Sequence, residues 1–135
     1  MTLEQGQPLA IQQAIDLAVQ HHIAGDLPKA EGIYQQILQA NPNQPIALNL
    51  LGVIAQQVGK NDIAADLITK AITIKPDYAE AHYNLGIALQ ALGKIDGAGE
   101  RFSKAIAIKP DYFEAHSNLG NIFKILGKTD EAVVS

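Results

Sequence analysis

The sequence predicts an all-α fold, a solenoid of stacked helix-turn-helix units. Three observations predict it. Four residue series share one step of 34: Leu17, Leu51, Leu85 and Leu119; Gly25, Gly59, Gly93 and Gly127; Ala30, Ala64, Ala98 and Ala132; Pro42, Pro76 and Pro110. Apolar residues recur at helical spacing on both sides of each repeated Gly. No segment alternates apolar and polar residues over a useful length, so no strand is expected. A single two-helix unit cannot bury its own apolar faces, and a period of this size marks units that stack on their neighbours.

The 135 residues divide into a lead-in, 1–10, three full units at 11–44, 45–78 and 79–112, and a fourth, 113–135, that ends early. Unit 3 shows the pattern most clearly. Its first helix carries Ala79, His82, Leu85, Gly86, Leu89 and Leu92 at helical spacing, and Gly93 then breaks it. Its second helix carries Ile95, Ala98, Phe102, Ala105, Ile106 and Ile108. Pro110 ends that helix, because the residue before a proline is pushed out of the α region. Asp77 and Asp111 stand before first helices, where a short acceptor satisfies free amides; Asp26, Asn61 and Thr129 are the expected caps of second helices. Small residues, Ala18, Gly52, Gly86 and Gly120, follow the repeated Leu, so helix axes can approach closely there. Tyr34, Ile68 and Phe102, four places after the repeated Ala, fill the remaining space.

Composition fits this scheme. Hydrophobic residues make up 47% and charged residues 18%, which is not a disordered composition. Aromatics are only 5%, so the core is aliphatic and rich in Ala. The absence of Cys excludes disulfides, thiolate catalysis and Cys-based zinc sites. A net charge of −4 argues against a nucleic-acid surface. No stretch approaches the ~18 apolar residues of a membrane span. Met1 to Ala10 has no Lys or Arg and no long apolar run, so it does not read as a secretory signal. A cytoplasmic protein without membrane or nucleic-acid partners is the expectation.

The 34-residue pattern resembles the tetratricopeptide repeat (TPR). Unit 3 matches that signature with His82, Leu85, Gly86, Leu89, Gly93, Ala98, Phe102, Ala105 and Pro110. Unit 2 matches with Leu48, Leu51, Gly52, Ala55, Gly59, Ala64, Ile68, Ala71 and Pro76. Unit 1 diverges at Ala14, Ala18, His21 and Ile37 but keeps Leu17, Gly25, Ala30, Tyr34 and Pro42. Unit 4 keeps His116, Leu119, Gly120, Phe123, Gly127 and Ala132 and then stops. The resemblance covers residues 11–135 and implies a right-handed α-α superhelix of TPR units. The signature residues are packing residues, so they specify fold and leave the ligand open.

Chemistry is sparse. His82 and His116 take the place of a large packing residue in adjacent units. Separated by about 10 Å, one helix-packing distance, they are too far apart to share a zinc. His21 and His22 point in different directions on one helix. Gly97–Ala98–Gly99 lacks the Lys-Ser/Thr and the preceding strand of a phosphate loop. It reads as a weakened helix in which Ala at 97 or 99 is expected to raise stability. The carboxylates are spread over turns and outer faces, and no pair is placed in a closed pocket for acid/base work. No catalytic residue, cofactor or metal site is predicted, and the chain reads as a non-enzyme.

What remains is a surface. Stacked hairpins line a concave groove with their first helices. In the resembling family, residues 2, 5, 6, 9, 12 and 13 of each unit face it. The candidate peptide-binding residues here are Asn49, Val53, Tyr83, Asn84, Ile87, Asn118 and Asn121. One TPR class grips a chaperone's C-terminal carboxylate with basic and amide groups; this chain has Ile15, Val19, Leu50, Glu80 and Asn84 where that clamp needs mainly such groups. Asn84 and Asn118, one unit apart, are similar instead to the asparagine ladder of the O-GlcNAc transferase repeats, interrupted by Asp16 and Leu50. An Asn amide carries donor and acceptor and can pair with an extended backbone. The expected function is a protein-interaction scaffold holding an extended peptide or partner helix. The alternative is the substrate-recruiting N-terminal array of a larger glycosyltransferase or sulfotransferase. Because unit 4 ends inside its second helix, Ile122, Phe123 and the Val133–Val134 stub are expected to lack cover, and self-association through that end follows.

Overall fold

The computed structural model describes residues 8–134, with side chains described over 10–127. Seven helices and no strand are present among the described residues: α1 Pro8–Ile23, α2 Leu27–Ala40, α3 Pro45–Gln57, α4 Asn61–Ile74, α5 Ala79–Ala91, α6 Ile95–Ile108 and α7 Phe113–Val134. The chain forms two compact units, Met1–Pro76 and Asp77–Ser135. In the first, α1 packs on α2, α2 on α3 and α3 on α4; in the second, α5 packs on α6 and α6 on α7. None of the described helices is long and apolar enough to cross a membrane. The first helix starts at Pro8, inside the expected lead-in.

Each hairpin turns on its repeated glycine. Gly25, Gly59 and Gly93 have φ of 85°, 86° and 80°, a left-handed conformation that strains any residue with a Cβ. The hydrogen bonds are those of a Schellman stop. Gly93 N donates to Gln90 O at 3.0 Å and Lys94 N to Leu89 O at 2.9 Å, with the same pair at Gly25–Asp26 and Gly59–Lys60. Helix starts are less uniform than the sequence suggests. Asp26 caps α2 as expected, accepting from Lys29 N. Gln44 caps α3 through Ile46 N at 3.0 Å. At α4 the cap residue is Lys60 and Asn61 is already helical; at α5 it is Tyr78 rather than Asp77, and neither cap makes a side-chain bond. At α4 the Schellman turn at Gly59–Lys60 sets the entry, so the Asn61 acceptor falls one residue late; at α5 the Asp77 acceptor falls one residue early.

Small residues and large ones meet where the repeat places them. A Cβ on Gly52 would lie 2.6 Å from Ile68 Cγ1, and one on Gly86 would lie 2.6 Å from the Phe102 ring. Tyr34, Ile68 and Phe102 are fully buried. In the first unit, Tyr34 and Ile37 cluster with Ala14, Ile15, Ala18, Ala30, Ala47 and Ile54. In the second, Phe102 clusters with Ala98 and Ile122, flanked by Tyr83, Ile87, Leu89 and Leu119.

The fourth repeat departs from expectation. Gly127 does not break the helix, and α7 continues unbroken for 22 residues. Thr129 therefore caps no second helix. Ile122, expected to be uncovered, is 1% exposed because it packs on Phe102 and Ala98 of α6. Phe123 is 62% exposed, as expected. The Val133–Val134 side chains lie outside the described residues.

Candidate functional site

The candidate residues of the second unit fall into two stripes. On α5, Glu80, Tyr83, Asn84 and Ile87 follow a three-and-four spacing and share one face. Glu80 is exposed; Tyr83, Asn84 and Ile87 are half-buried. On α7, Glu114, Asn118 and Asn121 share a face, Asn118 half-buried and the other two exposed. Half-burial fixes the direction of each of these side chains.

Tyr83 is held by rings on either side. Its centroid lies 5.7 Å from Phe102 and 5.1 Å from Tyr112, within the range of tilted aromatic pairs. Tyr112 ends the turn between α6 and α7 and packs with Ala79, Ala105 and Ala115, so it ties the start of α7 to α5 and α6. Lys109 lays its ammonium 4.9 Å from the centre of the Tyr112 ring. Burial pushes the Tyr83 phenol above its ordinary pKa, helped by the Glu114 charge. Tyr112 is pushed up further, first by burial, then by Glu80, Tyr83, Glu114 and Tyr78. Both phenols stay neutral near pH 7 and serve as rings with hydroxyl tips. Sequence reasoning passes over Tyr112; its signal is the Pro-Asp-Tyr triplet at 76–78 repeated at 110–112.

The first unit supplies less. Asn49 is 2% exposed, so its side chain is buried away from a ligand. Ile15, at the same repeat position, is 5% exposed and sits in the core. Val53 remains half-buried on α3. His22 Nε2 lies 2.7 Å from Gln57 Oε1, linking α1 to α3.

His82 and His116 each make a contact within the fold. His82 is 2% exposed, with Nδ1 3.1 Å from Arg101 Nη1, an α5–α6 bridge that the sequence does not announce. His116, expected to pack, is exposed and lies 2.8 Å from the Pro110 carbonyl through Nε2. Among the described residues no three His, Asp or Glu side chains are grouped to hold a metal ion.

Two family models match the chain, "TPR repeat" over residues 69–93 and 88–127 and "Tetratricopeptide repeat" over residues 23–79. The chain belongs to the tetratricopeptide-repeat family. Among solved structures, it is similar to an O-GlcNAc transferase mutant of Thermobaculum terrenum at 32% identity and a TM-score of 0.81. That match covers 83% of this chain and 22% of the transferase chain, so this TPR chain spans about a fifth of that protein's length. A structure of MamA matches at 26% identity, covering 96% of this chain and 75% of that one, with a TM-score of 0.80. The first TPR of Spaghetti (RPAP3), solved with an HSP90 peptide, shares the fold at 20% identity and a TM-score of 0.82, covering 87% and 93%. No curated protein sequence matches the chain.

Proposed function

We propose that this TPR chain is a protein-interaction module that holds an extended peptide or partner helix along the paired stripes of α5 and α7. The observation that carries the reading is the repeat of a half-buried carboxamide, Asn84 and Asn118, at one register on both helices. An amide there both donates to and accepts from a peptide backbone, so it holds a chain without reading its side chains. Tyr83 and Ile87 supply apolar surface beside it, and Asn121 extends the polar stripe by a turn. The basic groups of a carboxylate clamp are missing from these stripes, so the ligand's backbone, and not its C-terminus, is the expected point of capture.

The test is peptide display on the 135-residue chain, followed by affinities of selected peptides for the wild type and for Asn84→Ala/Asn118→Ala. Loss of two to four backbone hydrogen bonds, each contributing about 0.5–1.5 kcal/mol, predicts at least about fivefold weaker binding. Unchanged affinity would overturn the ladder. A second reading is favoured by the 32% identity to the O-GlcNAc transferase: the same stripes recruit substrate for a catalytic domain elsewhere in a longer protein. A third use of the surface is self-association, for which exposed Phe113 and Phe123 on α7 supply apolar area.

A further inference from the structure

The two units build the same hairpin with different chemistry at one place. Leu48 and Leu67 stand 34 residues before His82 and Arg101. Leu48 is buried and Leu67 half-buried, so an apolar pair suffices at these registers of α3 and α4. On α5 and α6 the same registers hold a histidine that is 2% exposed and an arginine, with His82 Nδ1 3.1 Å from Arg101 Nη1. A guanidinium carries only donors. Nδ1 therefore accepts, which makes His82 the neutral ring with its proton on Nε2. A proton added at Nδ1 removes the acceptor and sets two cations side by side in the interior.

We propose that the His82–Arg101 pair is an acid-sensitive latch of the α5/α6 hairpin, closed at neutral pH and released as the pH falls through the histidine range. The charges around the ring favour that release. α6, the helix packed against α5 in this unit, presents Arg101 and, three residues on along the same side, Lys104. The turn between α6 and α7 meets α5 through Tyr112 at Ala79, where Lys109 lays its ammonium over the Tyr112 ring. Within α5 and its cap, the residues three and four from His82 are Tyr78, Ala79, Leu85 and Gly86, none a carboxylate. Asp77, in the turn before α5, is exposed. Glu80 and Glu114 act on the Tyr112 phenol, and Glu80, two residues from His82, projects in another direction. The latch also bears on the surface of α5. Tyr83 and Asn84 follow His82 directly, and Phe102, next to Arg101, fills the space over Gly86 and meets the Tyr83 ring. Opening the pair loosens the face that carries the candidate site.

Folding holds His82 neutral, whereas the unfolded chain takes the proton at the ordinary histidine pKa of about 6.5. The unfolded state thus binds more protons below that pH, and stability falls as the pH drops. The experiment is urea unfolding of the full 135-residue chain at about pH 7.5 and about pH 5.5, read on the backbone amide signals of Leu85 and Phe102. One ring held neutral in the fold predicts that the unfolding constant rises about tenfold over that interval on account of His82. His82→Leu/Arg101→Leu installs the pair of the first unit. His82→Asn keeps an acceptor for Arg101 but takes no proton. In each variant the rise is expected to be about tenfold smaller than in the wild type, whatever its stability at the higher pH. The ring nitrogens of His82 in the folded wild type are expected to report the neutral, Nε2-protonated tautomer at both pH values. Equal pH dependence of the wild type and the variants overturns the latch, as does an Nδ1-protonated or charged His82 ring in the folded chain at the lower pH.

Discussion

The α5/α6 hairpin and α7 start from the same sequence motif and end differently. Leu85–Gly86 and Leu119–Gly120 stand at one repeat position, and Gly93–Lys94 and Gly127–Lys128 at another. At Gly93 the chain enters the left-handed region and turns back; at Gly127 the helix runs on to Val134. The difference lies in what returns. After Gly93, α6 brings back Ala98, Phe102 and Ala105, all fully buried. After Gly127, α7 runs straight on and no second helix returns among the described residues. Extending an existing helix adds one hydrogen bond per residue, whereas a new helix needs a new nucleus and a face to bury. A glycine therefore permits the turn, and packing of the second helix decides whether it is made.

Paired substitutions break or sharpen this comparison. The largest effect is expected at the aromatic pair. Phe102→Ala should lose about 3–5 kcal/mol in denaturant unfolding, while Phe123→Ala, 62% exposed, should stay within about 0.5 kcal/mol. Next come the glycines behind the repeated Leu. Gly86→Ala drives a Cβ into the Phe102 ring and should lose about 1–3 kcal/mol. Gly120→Ala meets nothing within 4 Å and should gain about 0.5–1 kcal/mol through helix propensity. The smallest pair is the turn itself. Gly93→Ala, forced to φ of 80°, should lose about 1 kcal/mol, and Gly127→Ala should gain a similar amount. Equal losses at Gly93 and Gly127 would mean that α7 turns back like α5.

Much of the fold is legible in the sequence because packing positions are periodic. Leu85, Gly86, Ala98 and Phe102 must recur wherever two helices meet at the same distance, and the structure puts Gly86 directly under Phe102. The caps are less legible. Backbone geometry at Lys60 and Tyr78 satisfies the entry to α4 and α5 without the nearby Asn61 or Asp77 side chain. The candidate site is legible only in part. A repeat register tells which residues share a face but not how deeply each sinks. Asn49 and Tyr83 hold one register, yet Asn49 is drawn into the interior while the longer Tyr83 keeps its edge in solvent. The Tyr83–Tyr112 pair and the His82–Arg101 bridge join residues 29 and 19 apart, separations outside the period of 34 that organises everything else.

The most direct test is a distance along α7. The chain has no cysteine, so Glu114→Cys/Val134→Cys accepts two spin labels and no others. An unbroken helix separates these positions by about 30 Å, at 1.5 Å per residue. Pulsed dipolar spectroscopy should return one narrow distribution near that distance, broadened only by the labels. A main population near 15 Å, where a hairpin closed at Gly127 would set them given an interaxial distance of about 10 Å, would contradict the account.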